Sequence, residues 1–468
     1  MSASKKLLSV FLAFTVFVIA LPISRIDISA SGASDFSITV ISESNKTAEI
    51  SGYSGSDENV TIPSSINGYT ITSIGETAFE EADTVLTLTI PDTVEEINPV
   101  ALIGCPAATD FIVDANNQYF TSENGVLFDK YKTQLIRYPG AKGDSSYTVP
   151  SSVSAIGPMA FALCQSLTSI TLPDDLESIV DYAFAYCPML ESIDIPDSVM
   201  YLGSFAFTNC ASLESVTLSE NMDSIGDNTF EECSSLQSID VPQSVTSIGE
   251  YAFLNCSALE HVTGMEGVET IGERAFVYCS ALTDISLGDS LTSMGEVAFA
   301  GCSSLQSVRI PSAVNSVSNY AFQSCSSLNN VVIENGVAQI GSGAFMSCSF
   351  NSITIPSSVT SIAEDAFINN GNTSLTTIYG YADSYAESYA REYGFTFIEL
   401  PDPDATKGDL NSDGILDSDD VDLMIEISLG IRTVKQSLML LGDMNNDGVI
   451  DGFDVAAVDR QISSNNNN

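Results

Sequence analysis

Short segments in which apolar and polar residues alternate recur along most of the chain. In a representative segment, Leu190 to Pro196, the order Ser-Ile-Asp-Ile precedes the proline. Alternation over a few residues predicts a half-buried strand, and a terminal proline closes the hydrogen-bond ladder because it has no N–H to donate. The pattern therefore predicts many short strands, each followed by a turn such as the Ile248-Gly249 pair.

The strands belong to a repeat that is marked by phenylalanine and cysteine. An Ala-Phe pair or a close variant recurs every 23 residues, at Phe161, Phe184, Phe207, Phe230, Phe253, Phe276, Phe299, Phe322 and Phe345. A cysteine follows each after three residues, at Cys164, Cys187, Cys210, Cys233, Cys256, Cys279, Cys302, Cys325 and Cys348. One strand and one turn cannot bury their own apolar face. Stacking of neighbouring coils buries it, so the sequence predicts a repeat solenoid.

This Ala-Phe-x-x-Cys pattern resembles the BspA-like class of bacterial leucine-rich repeats. The resemblance covers residues 36 to about 400 and implies a leucine-rich-repeat solenoid, with a short strand plus a turn or helical segment in every 23 residues. We expect the solenoid to occupy 34–400, with an N-terminal cap and a hairpin insertion near 110–147. The helix-favouring composition of 385–391 is expected to help close the C-terminal end.

The ten cysteines leave two interpretations open. Stacked coils lie roughly 5 Å apart by strand spacing, which is within the range of a disulfide, so a ladder of disulfides is sterically allowed. Nine of the ten occupy the same repeat position, however, so the number of cysteines reflects the number of coils and not a number of disulfide pairs. A residue three positions after the core Phe points inward, where free cysteine packs as a small hydrophobe. Buried thiols are therefore favoured, and we expect a serine there to bury a hydroxyl without a partner.

The N-terminal segment has the composition of an export signal. Lys5 and Lys6 precede an apolar run from Leu7 to Ile23, and small residues follow. This order predicts a secretory signal peptide in 1–33, with an uncleaved membrane anchor as the alternative. No second apolar run of this length follows. We expect a secreted, extracellular protein, associated with a scaffold or a cell surface, that has no membrane contact after signal cleavage.

The charge of the chain narrows the choice of partners. The sequence contains 61 Asp and Glu against 15 Lys and Arg, a formal net charge of −46. Such a surface repels phosphate backbones and anionic lipids, which argues against nucleic acid and membrane surfaces as partners. It attracts divalent cations, although most of these carboxylates need no role beyond solubility.

Two twelve-residue segments near the C-terminus, 409–420 and 443–454, carry the strongest chemical signal. Each has oxygen-bearing side chains at positions 1, 3, 5, 9 and 12 and glycine at position 6. This is the register of a calcium loop, in which position 7 contributes only its backbone carbonyl. The sequence therefore predicts two Ca²⁺ ions, held by Asp409, Asn411, Asp413, Ile415, Asp417 and Asp420 in one loop and by Asp443, Asn445, Asp447, Val449, Asp451 and Asp454 in the other.

The duplicated loops resemble type I dockerins, because position 12 is Asp and a single helix is expected after each loop. The resemblance places a dockerin at 408–464, after a stiff linker at 401–407 and before a disordered tail at 465–468. It implies a cohesin domain of a scaffold protein as partner, as in cellulosomes. The implied partner-binding residues are Ser418, Asp419, Ile425, Glu426, Gly452, Phe453, Asp459 and Arg460. The two halves differ at these positions, which puts a two-fold alternative binding mode in doubt.

No catalytic residue is predicted. The single histidine, His261, falls on a strand position that other coils fill with Ser, Asn or Asp. The outward strand positions carry no aromatic ring for stacking on sugars: Thr171, Asp194, Thr217, Asp240, Thr263, Ser286, Arg309, Val332 and Thr354. We therefore predict a non-catalytic binding protein that is attached to a cohesin-bearing scaffold and whose repeats bind a second, unidentified protein or polysaccharide. The alternatives are an accessory polysaccharide-binding component and a glycoside hydrolase without a recognisable signature.

Overall fold

The computed structural model describes residues 32–368, 375–401, 405–411 and 413–465. The predicted signal peptide, 1–33, lies outside these residues except for its last two, and the tail, 465–468, lies outside except for its first. Residues 402–404 of the predicted linker also lie outside. The domain boundaries proposed from the sequence therefore remain predictions.

Two columns of short strands run along the chain, and the backbone crosses from one column to the other in every coil. The alternating segments form the first column: β3 (Asn59–Thr61), β6 (Thr87–Ile90), β8 (Asp110–Val113), β12 (Ser146–Thr148), β14 (Ser169–Thr171), β16 (Ser192–Asp194), β18 (Ser215–Thr217), β20 (Ser238–Asp240), β22 (His261–Thr263), β24 (Asp284–Ile285), β26 (Ser307–Ile310), β28 (Asn330–Ile333), β30 (Ser352–Thr354), β32 (Thr377–Gly380) and β33 (Thr396–Glu399). The segments before the Ile-Gly turns form the second: β2 (Thr47–Tyr53), β5 (Tyr69–Ile74), β7 (Glu96–Ile97), β11 (Gln134–Arg137), β13 (Ala155–Ile156), β15 (Ser178–Ile179), β17 (Tyr201–Leu202), β19 (Ser224–Ile225), β21 (Ser247–Ile248), β23 (Thr270–Ile271), β25 (Ser293–Met294), β27 (Ser316–Val317), β29 (Gln339–Ile340) and β31 (Ser361–Ile362). The remaining strands are β1 (Phe36–Ser42), β4 (Ser65–Ile66), β9 (Phe120–Glu123) and β10 (Val126–Asp129).

Pairing between coils is parallel and joins equivalent repeat positions. Within β16 and β18, for example, Ser192 pairs with Ser215 and Asp194 pairs with Thr217. The 23-residue period in the sequence is thus the register of the sheets, and the predicted solenoid is confirmed. At the N-terminal end, β1 pairs antiparallel with β2 and so caps the second column.

The Ala-Phe segments are turns rather than helices, and they form a third hydrogen-bonded row. In this row the N–H of Phe161 donates to the carbonyl of Ala183. Each regular coil, from Phe161 to Phe345, has one residue in the left-handed region two positions before the Phe and another two positions after it, as in Tyr182 (φ 60°) and Tyr186 (φ 58°). These conformations turn the backbone groups along the axis of the solenoid, so the turn can bond to the next coil.

The core is built from the repeated phenylalanines. The rings from Phe161 to Phe345 stack one coil on the next, with centroids 5.0 to 5.5 Å apart and planes within 16° of parallel. These rings are at most 1% exposed. Aromatic pairs at this separation add to the stabilisation that burial gives, so the column links the regular coils to one another.

The cysteines lie beside this column as buried thiols, and none of the ten forms a disulfide. This is the arrangement that the repeat position of the cysteines favours, and the preference for thiols over a disulfide ladder stays a prediction. From Cys187 to Cys348, each Sγ donates to the carbonyl of the Phe 26 residues earlier, over 3.0 to 3.2 Å. The expectation that a serine here would lack a partner is wrong, because this carbonyl is within its reach.

The insertion separates two cores. Strand β10 pairs antiparallel with both β9 and β11, and β11 then joins the second column beside β13. Val126 and Phe128 of β10 pack into the core of the regular coils, whereas Leu127 packs into the N-terminal core. The hairpin predicted near 110–147 corresponds to β10 and β11, and β9 was not predicted. The sequence feature that could have predicted β9 is the Asn124-Gly125 dipeptide, because Asn-Gly favours the tight turn of a hairpin. These two residues have φ of 51° and 81° and connect β9 to β10.

A helix and a small helical module follow the last coils. Helix α1 (Tyr385–Tyr393) covers the end of the core with Tyr389, which is 2% exposed and lies 6.1 Å from the Phe367 ring. The module contains α2 (Ser418–Ser428), α3 (Gln436–Gly442) and α4 (Gly452–Asn465). Helices α2 and α4 contact each other, and α3 contacts β33 of the solenoid.

Candidate calcium and docking site

The first acidic loop is held in shape by its own carboxylates. Asp409, which is 3% exposed, accepts a hydrogen bond from the N–H of Gly414 at 2.9 Å. Asp420 is fully buried and accepts from the N–H of Leu410 at 2.9 Å and of Asp417 at 3.0 Å. Positions 1 and 12 of the loop therefore lie at its centre, fixed by backbone donors.

The second loop repeats this arrangement. Asp443 accepts from the N–H of Gly448 at 2.8 Å, and Asp454 accepts from Met444 at 2.8 Å and from Asp451 at 2.9 Å. Asp454 is fully buried, as is its counterpart in the first loop. Two segments of equal length thus reach equivalent conformations, which supports their prediction as a duplicated loop.

Glycine at position 6 is required by the backbone. Gly414 has φ of 84° and Gly448 has φ of 92°, whereas a Cβ at either residue would meet no atom within 4 Å. Space for a side chain is available, so the constraint on these two positions is the left-handed backbone conformation, which residues other than Gly and Asn adopt less readily. At position 7 the side chains of Ile415 and Val449 point outward and are 60% and 51% exposed, as expected where only the carbonyl is used.

The donor set fits a hard cation. Asp443, Asp447 and Asp454 each place a carboxylate oxygen within 4.8 Å of the others. In the first loop Asp409 Oδ1 is buried without a hydrogen-bond partner among the described atoms. A buried anionic oxygen without a donor is costly unless a cation binds it. Oxygen-only donors in a flexible loop are the ligands that calcium prefers. The remaining predicted donors, at positions 3, 5 and 9, lie on the same loops, and most of them are exposed.

A small apolar core supports both loops. It consists of Leu410, Met424, Ile450 and Val458, each at most 5% exposed. Met424 and Val458 belong to α2 and α4, the helices that leave the two loops, so loop and helix positions depend on each other. Helix α3, which leads into the second loop, was not predicted, because only the exit helices were considered in the sequence.

The eight residues implied as partner-binding all lie exposed on α2 and α4 or at their first turns. The two halves present different surfaces. At the start of α4, Phe453 is 74% exposed, whereas α2 offers Ile425 at 38% and is followed by Leu429 at 68% and Ile431 at 71%. An exposed apolar surface on a module this small is typical of a protein-binding site.

The outward positions of the first strand column of the solenoid are mostly polar, with Val332 at 46% exposure as an apolar exception. The outward positions of the first column are exposed, except for the half-buried Arg309, which bridges Asp289 and Glu334 at 2.5 and 2.7 Å. Thr217 donates to Asp194 at 2.8 Å, and Thr263 donates to Asp240 at 2.7 Å. Aromatic rings do occur outside this column. Tyr182 and Phe205 stack at 4.6 Å on the turn side, so each covers a face of the other, whereas Tyr278 is 60% exposed and Tyr201 is 51% exposed.

His261 lies on the open surface of β22. Its Nδ1 is 3.8 Å from Asp284 Oδ1 and its Nε2 is 4.0 Å from Glu260 Oε2, and its side chain is 60% exposed. A catalytic histidine needs an enclosing site that holds substrate and excludes water, and an exposed strand position provides none. Within the part of the chain that the structure describes, no helix is both long and apolar enough to cross a membrane.

The stacked coils and the paired acidic loops together define a leucine-rich-repeat protein with a C-terminal calcium-loop module. Family models agree with both parts. Six copies of the BspA-type leucine-rich repeat region match residues 37–132, 144–260 and 246–374, and the type I dockerin domain matches 407–463. The chain belongs to the BspA-type leucine-rich-repeat family and carries a type I dockerin domain. Both are non-catalytic kinds of domain.

Solved structures of bacterial leucine-rich-repeat proteins are similar to the chain. One from Bacteroides ovatus is 26% identical, with 78% of this chain and 98% of that chain covered and a TM-score of 0.48. The pneumococcal vaccine antigen PcpA is 19% identical, with 79% of this chain and 98% of that chain covered and a TM-score of 0.47. One from Eubacterium ventriosum is 23% identical, with 62% of this chain and 65% of that chain covered and a TM-score of 0.40. The match therefore spans slightly less than two thirds of that protein. No curated protein sequence matches the chain.

Proposed function

We propose that this protein is a secreted, non-catalytic binding protein that is held on a cohesin-bearing scaffold by a calcium-dependent dockerin. The observation that carries the proposal is the duplicated loop, in which Asp420 and Asp454 are fully buried and Asp409 has a buried oxygen with no hydrogen-bond donor among the residues that the structure describes. A type I dockerin implies a cohesin as its partner, and the exposed residues of α2 and α4 offer the surface for it. We assign one Ca²⁺ to each loop, with the twelve predicted residues as ligands.

The domain boundaries belong to the same proposal. Residues 1–33 form the signal peptide, 34–400 the solenoid, 401–407 the linker and 408–464 the dockerin. In this arrangement the solenoid carries a second partner while the dockerin holds the chain on the scaffold. A protein partner is favoured over a polysaccharide, because the outward strand positions from Thr171 to Thr354 carry no aromatic ring for stacking on sugars.

Binding of the full chain to type I cohesin domains tests the docking function. We expect binding in calcium, and we expect Asp409→Ala and Asp443→Ala to weaken it, because each removes a ligand at position 1 of its loop. Asp240→Ala, which changes an exposed carboxylate of the solenoid, is the matched control and should bind as the unaltered chain does. Equal binding by all four proteins would contradict the assignment of the loops.

A second assay tests what the solenoid binds. The chain is incubated with insoluble cellulose and xylan, and in parallel with secreted proteins from the same source. Retention by the glycans alone would favour an accessory polysaccharide-binding role. Hydrolysis of these glycans that disappears on substitution of a pair of solenoid carboxylates would overturn the non-catalytic assignment.

A further inference from the structure

The last strand of the solenoid is covered by the module. Strand β33 pairs with β32 on one side and is the terminal strand of its sheet. An uncovered edge strand invites pairing with other chains, and the end of a solenoid needs a cap to shield its core. Helix α3 of the module packs against β33, where such a cap would lie.

Polar contacts fix this packing through one carboxylate. Glu399, the last residue of β33, accepts a hydrogen bond from Ser437 Oγ at 3.1 Å and pairs with Lys435 Nζ at 3.0 Å. Ser437 is 6% exposed and the Glu399 side chain is 26% exposed, so the hydrogen bond lies inside the contact. The Glu399 carboxylate raises the pKa of Lys435 through their hydrogen bond and opposite charges.

The other end of α3 is tied to the second acidic loop. The helix ends at Gly442, and the N–H of Asp443, the first loop residue, donates to the carbonyl of Met439 at 3.0 Å. Leu441 is 5% exposed, and its carbonyl accepts from Gly408 at 3.0 Å. A Cβ on Gly442 would lie 2.5 Å from Ile450 Cδ1, which shows how closely helix and loop pack. Helix α3 therefore contacts the loop and the solenoid at once.

We propose that the dockerin completes the C-terminal cap of the solenoid, covering strand β33 while helix α1 covers the end of the core, and that calcium binding in the second loop stabilises strands β32 and β33. The coupling rests on the proposed calcium binding: a cation that binds only the folded loop stabilises whatever packs on that fold. The predicted partner-binding residues lie on α2 and α4 and are exposed. A cohesin can then bind while α3 stays on β33, and the solenoid is held on the scaffold in a fixed orientation.

Hydrogen exchange of the full chain, with calcium and with excess chelator, tests this coupling. The amides of Thr396 and Leu400 donate to the carbonyls of Thr376 and Gly380, so their exchange reports the pairing of β32 with β33. We expect calcium to slow their exchange together with that of the module. Glu399→Gln should lose the calcium response of β33 while the module keeps its own. Glu392→Gln, an exposed position on α1, is the matched control and should respond as the unaltered chain does.

The outcomes separate this inference from the proposed function. If calcium protects the module but leaves β33 unchanged in the unaltered chain, the cap is wrong and calcium binding stands. If calcium changes neither, both are wrong. A Glu399→Gln chain in which β33 still responds as in the unaltered chain would also contradict the proposal, because the carboxylate would then not be the link.

Discussion

Each repeat cysteine from Cys187 to Cys348 is buried beside the core phenylalanine of its own coil and donates its thiol hydrogen to the preceding coil. The inward position and the free thiol could be predicted, because the cysteine recurs with the period of the coils. The acceptor could not be predicted. It lies 26 residues away in sequence, and only the register of two stacked coils brings it to the thiol.

Substitution of Cys256 separates packing from hydrogen bonding. Its Sγ lies 3.0 Å from the carbonyl of Phe230. Cys256→Ser keeps a donor for this carbonyl, so we expect it to lower the free energy of unfolding by only about 1 kcal/mol. Cys256→Ala loses the donor and leaves a small void, so its cost should be at least as large. Denaturant unfolding of both variants measures this order, and a serine that costs clearly more than alanine would contradict it.

The thiols also predict a dependence of stability on pH. Burial raises the pKa of the Cys105 thiol to about 12 and raises the pKa of the Cys233, Cys256 and Cys279 thiols. In the unfolded chain these thiols ionise near pH 8.5, about the value of an unperturbed cysteine. Above that pH the unfolded state releases protons that the folded state keeps, so the free energy of unfolding falls as pH rises.

Denaturant unfolding at about pH 8 and about pH 10, under reducing conditions, measures this effect. Substitution of several repeat cysteines by alanine should reduce the fall in the free energy of unfolding between these two pH values, since each buried thiol contributes to that fall. An unfolding free energy that is equal at both pH values would contradict the assignment of buried, neutral thiols.

At the scale of elements, the strands follow from the period of the sequence, whereas the conformation of the turns does not. The left-handed position two residues before the core Phe is occupied by Met159, Tyr182, Phe205, Asn228, Tyr251, Arg274, Val297, Tyr320 and Gly343. Only the Asn and the Gly are residue types that favour this conformation. The bonds between coils impose it on the others, and tertiary contacts of this kind have no local signal in the sequence.

Val297 is the residue least suited to its conformation, because a β-branched side chain at φ of 62° is strained. We expect Val297→Asn to raise the free energy of unfolding by about 1 kcal/mol, since Asn adopts the left-handed region more readily. The control is Val277→Asn, which buries an amide at a 6% exposed position and should destabilise. Thermal or denaturant unfolding compares them, and equal destabilisation by both would contradict the strain argument.

At the scale of the whole molecule, the sequence predicted both parts and missed their contact. The two loops were recognisable because calcium ligation sets residue types at fixed positions, as Gly414 and Gly448 illustrate. The stiff linker predicted at 401–407 gave no indication of a contact between solenoid and dockerin, such as the hydrogen bond from Ser437 to Glu399. These two residues are 38 positions apart, and neither belongs to a motif.

The central claim is that this solenoid is attached to a scaffold by a calcium-dependent dockerin. The most direct test is the affinity of the full chain for a type I cohesin domain, measured over a range of free calcium concentrations. We expect binding to increase with calcium as both loops fill and to vanish in excess chelator, because the carboxylates of the loops repel one another without a cation. Affinity that stays the same in excess chelator, or that is absent at every calcium concentration for every type I cohesin tested, would contradict the claim.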